Sequence, residues 1–122
     1  MMWEITLSLP IDCRPAPRPR VTRSATFNPQ WYTDLKLAIN HKARAEMKKA
    51  GYLPLRAPVR LEITVAREHD VTKQLFGDVD NLLKTVMDAL KGVCYDDDRF
   101  VISASISKIK APSPKLSIRV FT

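Results

Sequence analysis

Apolar and polar residues alternate from the start of the chain. Trp3, Ile5, Leu7 and Leu9 fall on one side and Glu4, Thr6 and Ser8 on the other, the period of a strand with one buried face. Pro10 ends it, because proline brings no N–H to a ladder. The alternation returns in Val59, Leu61, Ile63 and Val65 against Arg60, Glu62 and Thr64. It appears twice more near the C-terminus. Phe100, Ile102, Ala104 and Ile106 alternate with Val101, Ser103 and Ser105, and Leu116, Ile118 and Val120 with Ser117 and Arg119. These last two strands are joined by a turn around Pro112-Ser113-Pro114, and a further short strand or hairpin is expected between Val21 and Phe27.

Two stretches follow the helical period instead. Asn28-Pro29 is a helix start and Gly51, after Lys48 and Lys49, a helix stop. Trp31, Leu35, Ala38 and Ala45 are spaced to lie on one side of the helix between them. From Asp80 or Asn81 to Lys91, the residues Leu82, Leu83, Val86, Met87 and Leu90 form an apolar stripe, with Asn81, Lys84, Asp88 and Lys91 opposite and Gly92 as the stop. Residues 67–76 carry no pattern and read as a loop. The order strand, helix, strand, helix, strand, strand predicts an α+β fold, a mixed sheet with two main helices packed on one face.

A chain of 122 residues, 45% of them hydrophobic, suits one domain over residues 1–122 with a modest core. No apolar run approaches the roughly 18 residues of a membrane span, and the N-terminus, with Glu4 and Asp12 nearby, does not read as a cleavable signal. A cytoplasmic location without membrane attachment is the expectation. Cys13 and Cys94 are too few for a disulfide framework, and with His41 and His69 they lack the paired spacings of a zinc site.

Charge changes the picture more than composition does. A net charge of +7 concentrates polyanions around the protein and makes nucleic acid the first partner to consider. The distribution is sharper still. From Cys13 to Thr33 there are four arginines, Arg14, Arg18, Arg20 and Arg23, and no acid; from Arg99 to Thr122 there are five basic residues and no acid. Arg14 to Arg20 alternates arginine with proline and alanine, which excludes helix and makes the segment an exposed basic arm or loop. Every acid after residue 70 lies between Asp78 and Asp98. Such crowding of negative charge in a basic protein calls for a cation among the carboxylates.

The acids form two groups. Asp78-Val79-Asp80-Asn81 stands at the mouth of the second helix, with Lys84 one turn beyond Asp80. Asp96-Asp97-Asp98 precedes the third alternating strand. Each group has a plain structural explanation: Asp80 as a helix cap with Lys84 as its surface partner, and the aspartate triplet as a solvated turn. Together they suit magnesium, which takes two or three carboxylates plus substrate phosphate and keeps several waters. Such an ion activates water and stabilises charge on a phosphate under attack. The three glycines, Gly51, Gly77 and Gly92, are widely separated, so no nucleotide-cradling loop is present and no nucleotide cofactor is expected.

The segments Gly77-Asp78-Val79-Asp80-Asn81-Leu82-Leu83-Lys84, Met87-Asp88-Ala89-Leu90 and Tyr95-Asp96-Asp97-Asp98-Arg99-Phe100-Val101 resemble the signature of the RusA family of Holliday junction resolvases: Asp-x-Asp-Asn, a lysine three residues on, Asp-Ala-Leu, and an Asp-Asp pair at the head of a strand. The stretch Arg18-Pro19-Arg20-Val21-Thr22-Arg23 before Asn28-Pro29 is similar to phage and prophage members. The resemblance is dense over residues 77–101 and loose elsewhere. It implies a homodimeric, magnesium-dependent endonuclease that resolves four-way junctions by paired nicks in DNA recombination and repair. It assigns metal-binding and catalytic roles to Asp78, Asp80 and Asp98, a catalytic role to Lys84 and a supporting one to Asn81. The chain departs from the pattern in having three consecutive aspartates where two are needed, which leaves Asp97 as the alternative third ligand. Asp98 is preferred because the family's second aspartate stands three residues before a valine, here Val101. Phe100 also takes the place of an expected polar residue.

On this reading Arg14, Arg18, Arg20 and Arg23 bind phosphate, Mg2+ is the cofactor with Mn2+ as the alternative, and branched DNA is the partner. Two rivals stand beside it: a nuclease for other branched DNA or structured RNA on the same metal site, and a noncatalytic nucleic-acid-binding protein whose aspartates are structural.

Overall fold

The computed structural model describes residues 2–17, 20–21 and 26–122. Its elements in chain order are β1 (Glu4–Leu9), β2 (Arg20–Val21), β3 (Thr26–Phe27), α1 (Gln30–Ala50), β4 (Val59–Arg67), α2 (Val79–Leu90), a one-turn 3-10 helix (Asp98–Phe100), β5 (Val101–Lys110) and β6 (Lys115–Phe121). The four long strands make a mixed sheet in the order β1-β6-β4-β5, and β2 pairs separately with β3. β1 and β4 flank β6 antiparallel, whereas β5 runs parallel to β4. The parallel step requires a crossover, and α2 lies within it. This is the expected α+β arrangement of a mixed sheet and two helices.

One face of the sheet is apolar because of the alternation. Ile5, Leu7 and Leu9 of β1, Leu61, Ile63 and Val65 of β4, and Leu116, Ile118 and Val120 of β6 are buried in one core with both helices. The opposite face is polar, and there Arg119 of β6 lies between Glu4 of β1 and Glu62 of β4 and bonds to both. α1 begins at Gln30 after Pro29 and closes on Gly51 in the left-handed conformation (φ 74°), whose N–H donates to the carbonyl of Lys48.

Three details differ from the sequence reading. The buried face of α1 is Tyr32, Leu35, Ile39, Ala43 and Met47, whereas Ala45 is exposed and Trp31 half-buried; the true stripe is rotated by about one residue because Ile39, Ala43 and Met47 give the longer apolar row. α2 begins one or two residues early, at Val79, with Asp78 as its N-cap residue. β5 alternates but buries little: Ile102, Ala104 and Ser105 are exposed and Val101 and Ile106 half-buried. It is the edge strand of the described sheet, with a strand neighbour on one side only.

Candidate active site

The loop entering α2 is held from beneath by two cations. Arg67, at the end of β4, is 4% exposed; its guanidinium donates to the carbonyls of Leu75 (2.6 Å) and Phe76 (2.8 Å) and pairs with Asp12 (2.6 Å). A buried charge is tolerable when it is paired and its donors are used. Lys108 of β5 donates to the carbonyl of Gly77 (2.9 Å). Gly77 has φ 99°, and a Cβ there would meet the Pro15 ring at 2.7 Å, so glycine is required for both conformation and space. These contacts set Asp78 and Asp80 at an exposed helix mouth, where the orphan N–H groups and helix dipole favour negative charge.

The basic segment leaves from this same mouth. Pro15 packs on Gly77, the Ala16 N–H donates to the carbonyl of Asn81 (3.2 Å), and the Thr85 hydroxyl lies 3.2 Å from the Arg14 carbonyl. Arg14 stacks over the Trp31 ring at 4.0 Å. Arg18 and Arg23 lie outside the described residues, as does the side chain of Arg20. Lys84 is exposed one turn above Asp80, and Asp88 is exposed one turn above Lys84, so the three share one helix face.

The second acidic group stands at the other end of α2. Tyr95 is fully buried and donates its hydroxyl proton to the Met87 carbonyl (2.9 Å), and the Gly92 N–H bonds to the Tyr95 carbonyl (2.7 Å). These bonds fasten the aspartate triplet to the C-terminal end of the helix. Asp97 accepts the Arg99 N–H (3.0 Å) and caps the 3-10 turn, and that bond holds its carboxyl below the usual range. Asp98 is different. Its Oδ1 is shielded from solvent and has no hydrogen-bond partner among the described residues. Burial pushes its carboxyl up; Lys91 opposes this, while Asp88 and Asp97 add to it. An acid in that state is a cation-seeking group.

α2 runs opposite to β5, since Gly77 at its start meets Lys108 while its last turn meets Tyr95 just before Asp98. Twelve residues of helix span about 18 Å, so the aspartate pair and Asp98 stand well apart. Among the described residues no three His, Cys, Asp or Glu side chains form a group that would hold a metal ion. Within one chain the three aspartates named from the sequence are thus not gathered into such a group. The structure joins Asp78, Asp80, Asn81 and Lys84 at one end of α2, with Arg14 close by, and leaves Asp98 at the other. Sequence reasoning missed Arg67 and Lys108 as parts of this region, whereas Asp88 was already placed on the polar face of the helix and in the quoted signature.

A model of the family described as Endodeoxyribonuclease RusA matches residues 10–121, which takes in both acidic groups, the arm and all but the first strand of the sheet. The chain belongs to the RusA family. RusA family membership implies endodeoxyribonuclease activity on Holliday junctions, and nucleases of the RusA family depend in general on a divalent metal. No curated protein matches the chain. No helix among the described residues is long and apolar enough to cross a membrane.

Proposed function

We propose that this protein is a magnesium-dependent resolvase that binds a four-way DNA junction as a twofold dimer and nicks two symmetry-related strands, in recombination or repair. The observation that carries this reading is the docking of the basic arm on the mouth of α2. Pro15 on Gly77 and the Ala16 bond to Asn81 deliver a phosphate-binding segment to the aspartates that would serve the chemistry. In the reaction water adds to phosphorus, the P–O bond to one sugar breaks, and a phosphate monoester and a hydroxyl remain.

Asp78, Asp80 and Asp98 are the carboxylates for the divalent ion, with Mg2+ the expected ion and Mn2+ the alternative. Asp97 is less suited as the third ligand because it already caps a turn. Lys84 would donate to phosphoryl oxygen, and Asn81 supports the arm through its carbonyl. Arg14, Arg18, Arg20 and Arg23 supply affinity by neutralising phosphates, while junction shape supplies selectivity.

The test is nicking of a synthetic four-way junction beside duplex and flap of the same sequence, in Mg2+, in Mn2+ and in chelator. Paired, symmetric, metal-dependent nicks in the junction alone are expected. Equal cutting of flap would make it a general branch nuclease, and no cutting of any substrate with intact binding would make it a binding protein.

A further inference from the structure

Beside the mouth of α2 lies a cavity of about 450 Å3, within the range of small-ligand sites. One wall is the arm itself, Pro15, Ala16 and Pro17. Because Pro15 packs on Gly77, the cavity adjoins the loop that presents Asp78, and the base of a nucleotide held at that loop is within its reach. The lining suits such a base. The Arg14 guanidinium is held over the Trp31 ring at 4.0 Å, which sets a planar cation on an indole in the wall, and nucleobases stack on groups of this kind. The two proline rings and Leu75 add apolar surface. Asp12 supplies direction: its carboxylate takes two bonds from the buried Arg67 (2.6 and 3.2 Å) yet its side chain remains 45% exposed, so lone pairs are left for a second donor. Leu75 is a separate observation. It is 72% exposed although its own carbonyl is fixed by Arg67, and an apolar side chain carried into solvent on a held backbone is the form of a wedge that unstacks bases.

We propose that this cavity receives one unpaired base from the branch point of the DNA, that Leu75 fills the gap left in the stack, and that Asp12 selects a base with an exocyclic amino group over thymine. A carboxylate accepts a hydrogen bond from an amino group, whereas the two carbonyls of thymine turn lone pairs toward it. Extrusion of a base is easiest where pairing and stacking are already interrupted, so the branch point yields a base that continuous duplex withholds. The site thereby adds a sequence preference to the recognition of junction shape. This inference deepens the nuclease reading and rests on it for bringing the DNA strand to the mouth of α2, but occupation of the cavity is measured without any cutting.

The test uses 2-aminopurine, a base with an exocyclic amino group whose fluorescence rises on unstacking, placed in turn at each nucleotide flanking the branch point of a four-way junction and in the middle of a duplex limb. In chelator, binding of the parental protein should raise the fluorescence about threefold or more at one branch position and leave the duplex position unchanged. Ala16→Leu, which narrows the cavity from the arm, should bind the junction within about threefold of the parental affinity, since phosphate contacts dominate binding, and should give no rise. Leu75→Ala should give a smaller rise than the parental protein. In magnesium, a junction with cytosine, adenine or guanine at the responding position should be nicked about tenfold faster than one with thymine. Asp12→Asn should remove that preference, because an amide turns to donate to the thymine carbonyl. It also weakens the pair with buried Arg67, so Ala16→Leu keeps the test decisive if Asp12→Asn fails to fold. A parental protein that gives no rise at any branch position, or an Ala16→Leu protein that gives the parental rise, overturns the base site; equal nicking beside all four bases overturns the role of Asp12. Failure of the parental protein to cut any branched substrate overturns the nuclease reading alone, because the fluorescence in chelator still decides the base site.

Discussion

The two ends of α2 carry the same residue type in opposite settings. At the N-terminal end Asp78 and Asp80 stand in solvent, on a loop whose carbonyls are gripped by Arg67 and Lys108. At the C-terminal end the packing is tight: Leu90, Cys94 and Tyr95 are fully buried, and Asp98, a few residues on, has one oxygen shielded and without a hydrogen-bond partner among the described residues. The first end is rigid in backbone and open in side chain, the arrangement that presents carboxylates to a ligand. The second holds a half-buried carboxyl with one oxygen that no described residue bonds.

The sharpest way to break this comparison is to neutralise the open end. Asp78→Asn or Asp80→Asn should lower junction nicking at least about a hundredfold, while leaving junction binding equal or tighter because a repulsive charge near DNA is gone. The thermal midpoint should move little, since both residues are exposed. Nicking assays, binding titrations and thermal unfolding measure the three effects, and parental cutting by both variants would sink the carboxylate mechanism. Lys84→Ala, on the face shared with Asp80, should cut about tenfold or more slowly with a smaller loss of junction affinity, because a contact realised as negative charge develops acts on rate. Equal losses in rate and affinity would reduce Lys84 to a binding residue.

Smaller effects separate the two ends by stability. Gly77→Ala forces a Cβ into Pro15 at a positive φ and should cost about 1–3 kcal/mol, read by denaturant unfolding, with the arm loosened as measured by proteolysis near Arg14. Asp98→Asn keeps the shape but removes a half-buried carboxylate charge, and should raise the unfolding midpoint of the metal-free protein slightly while still abolishing nicking. An Asp98→Asn protein with unchanged or lowered unfolding midpoint would show that the Asp98 charge is already satisfied.

The smallest effect uses the buried thiols, one at each end. Burial pushes both Cys13, beside Arg14, and Cys94, beside Tyr95, up to about 12. In the folded state each holds its proton more tightly than an ordinary thiol near 9. Their contribution to stability is therefore complete below pH 9 and is lost as pH rises from 9 toward 12. Neither should react with an alkylating reagent at pH 8 until the protein unfolds. Reaction at Cys13 alone would show that the open end breathes more than the packed one.

The alternation in Trp3–Leu9, Val59–Val65 and Leu116–Val120, together with Asn28-Pro29 and Gly51, was enough to place three strands and α1 and to orient the sheet, because side-chain period and capping are local properties. The dense motif over residues 77–101 was enough to indicate the family, since it requires particular acids, an asparagine and a lysine in order. Alternation could not say that β5 is an edge, because Ile102, Ala104 and Ile106 read the same whether a helix covers them or not; burial depends on what packs from elsewhere in the chain. Nor could spacing reveal that Arg67 and Lys108, 41 residues apart in the sequence, converge on the loop before α2. The distance between Asp80 and Asp98 was likewise a matter for tertiary structure alone. It depends on α2 running opposite to a β5 that pairs parallel with β4, a long-range choice made by sheet topology and not by any residue near either aspartate.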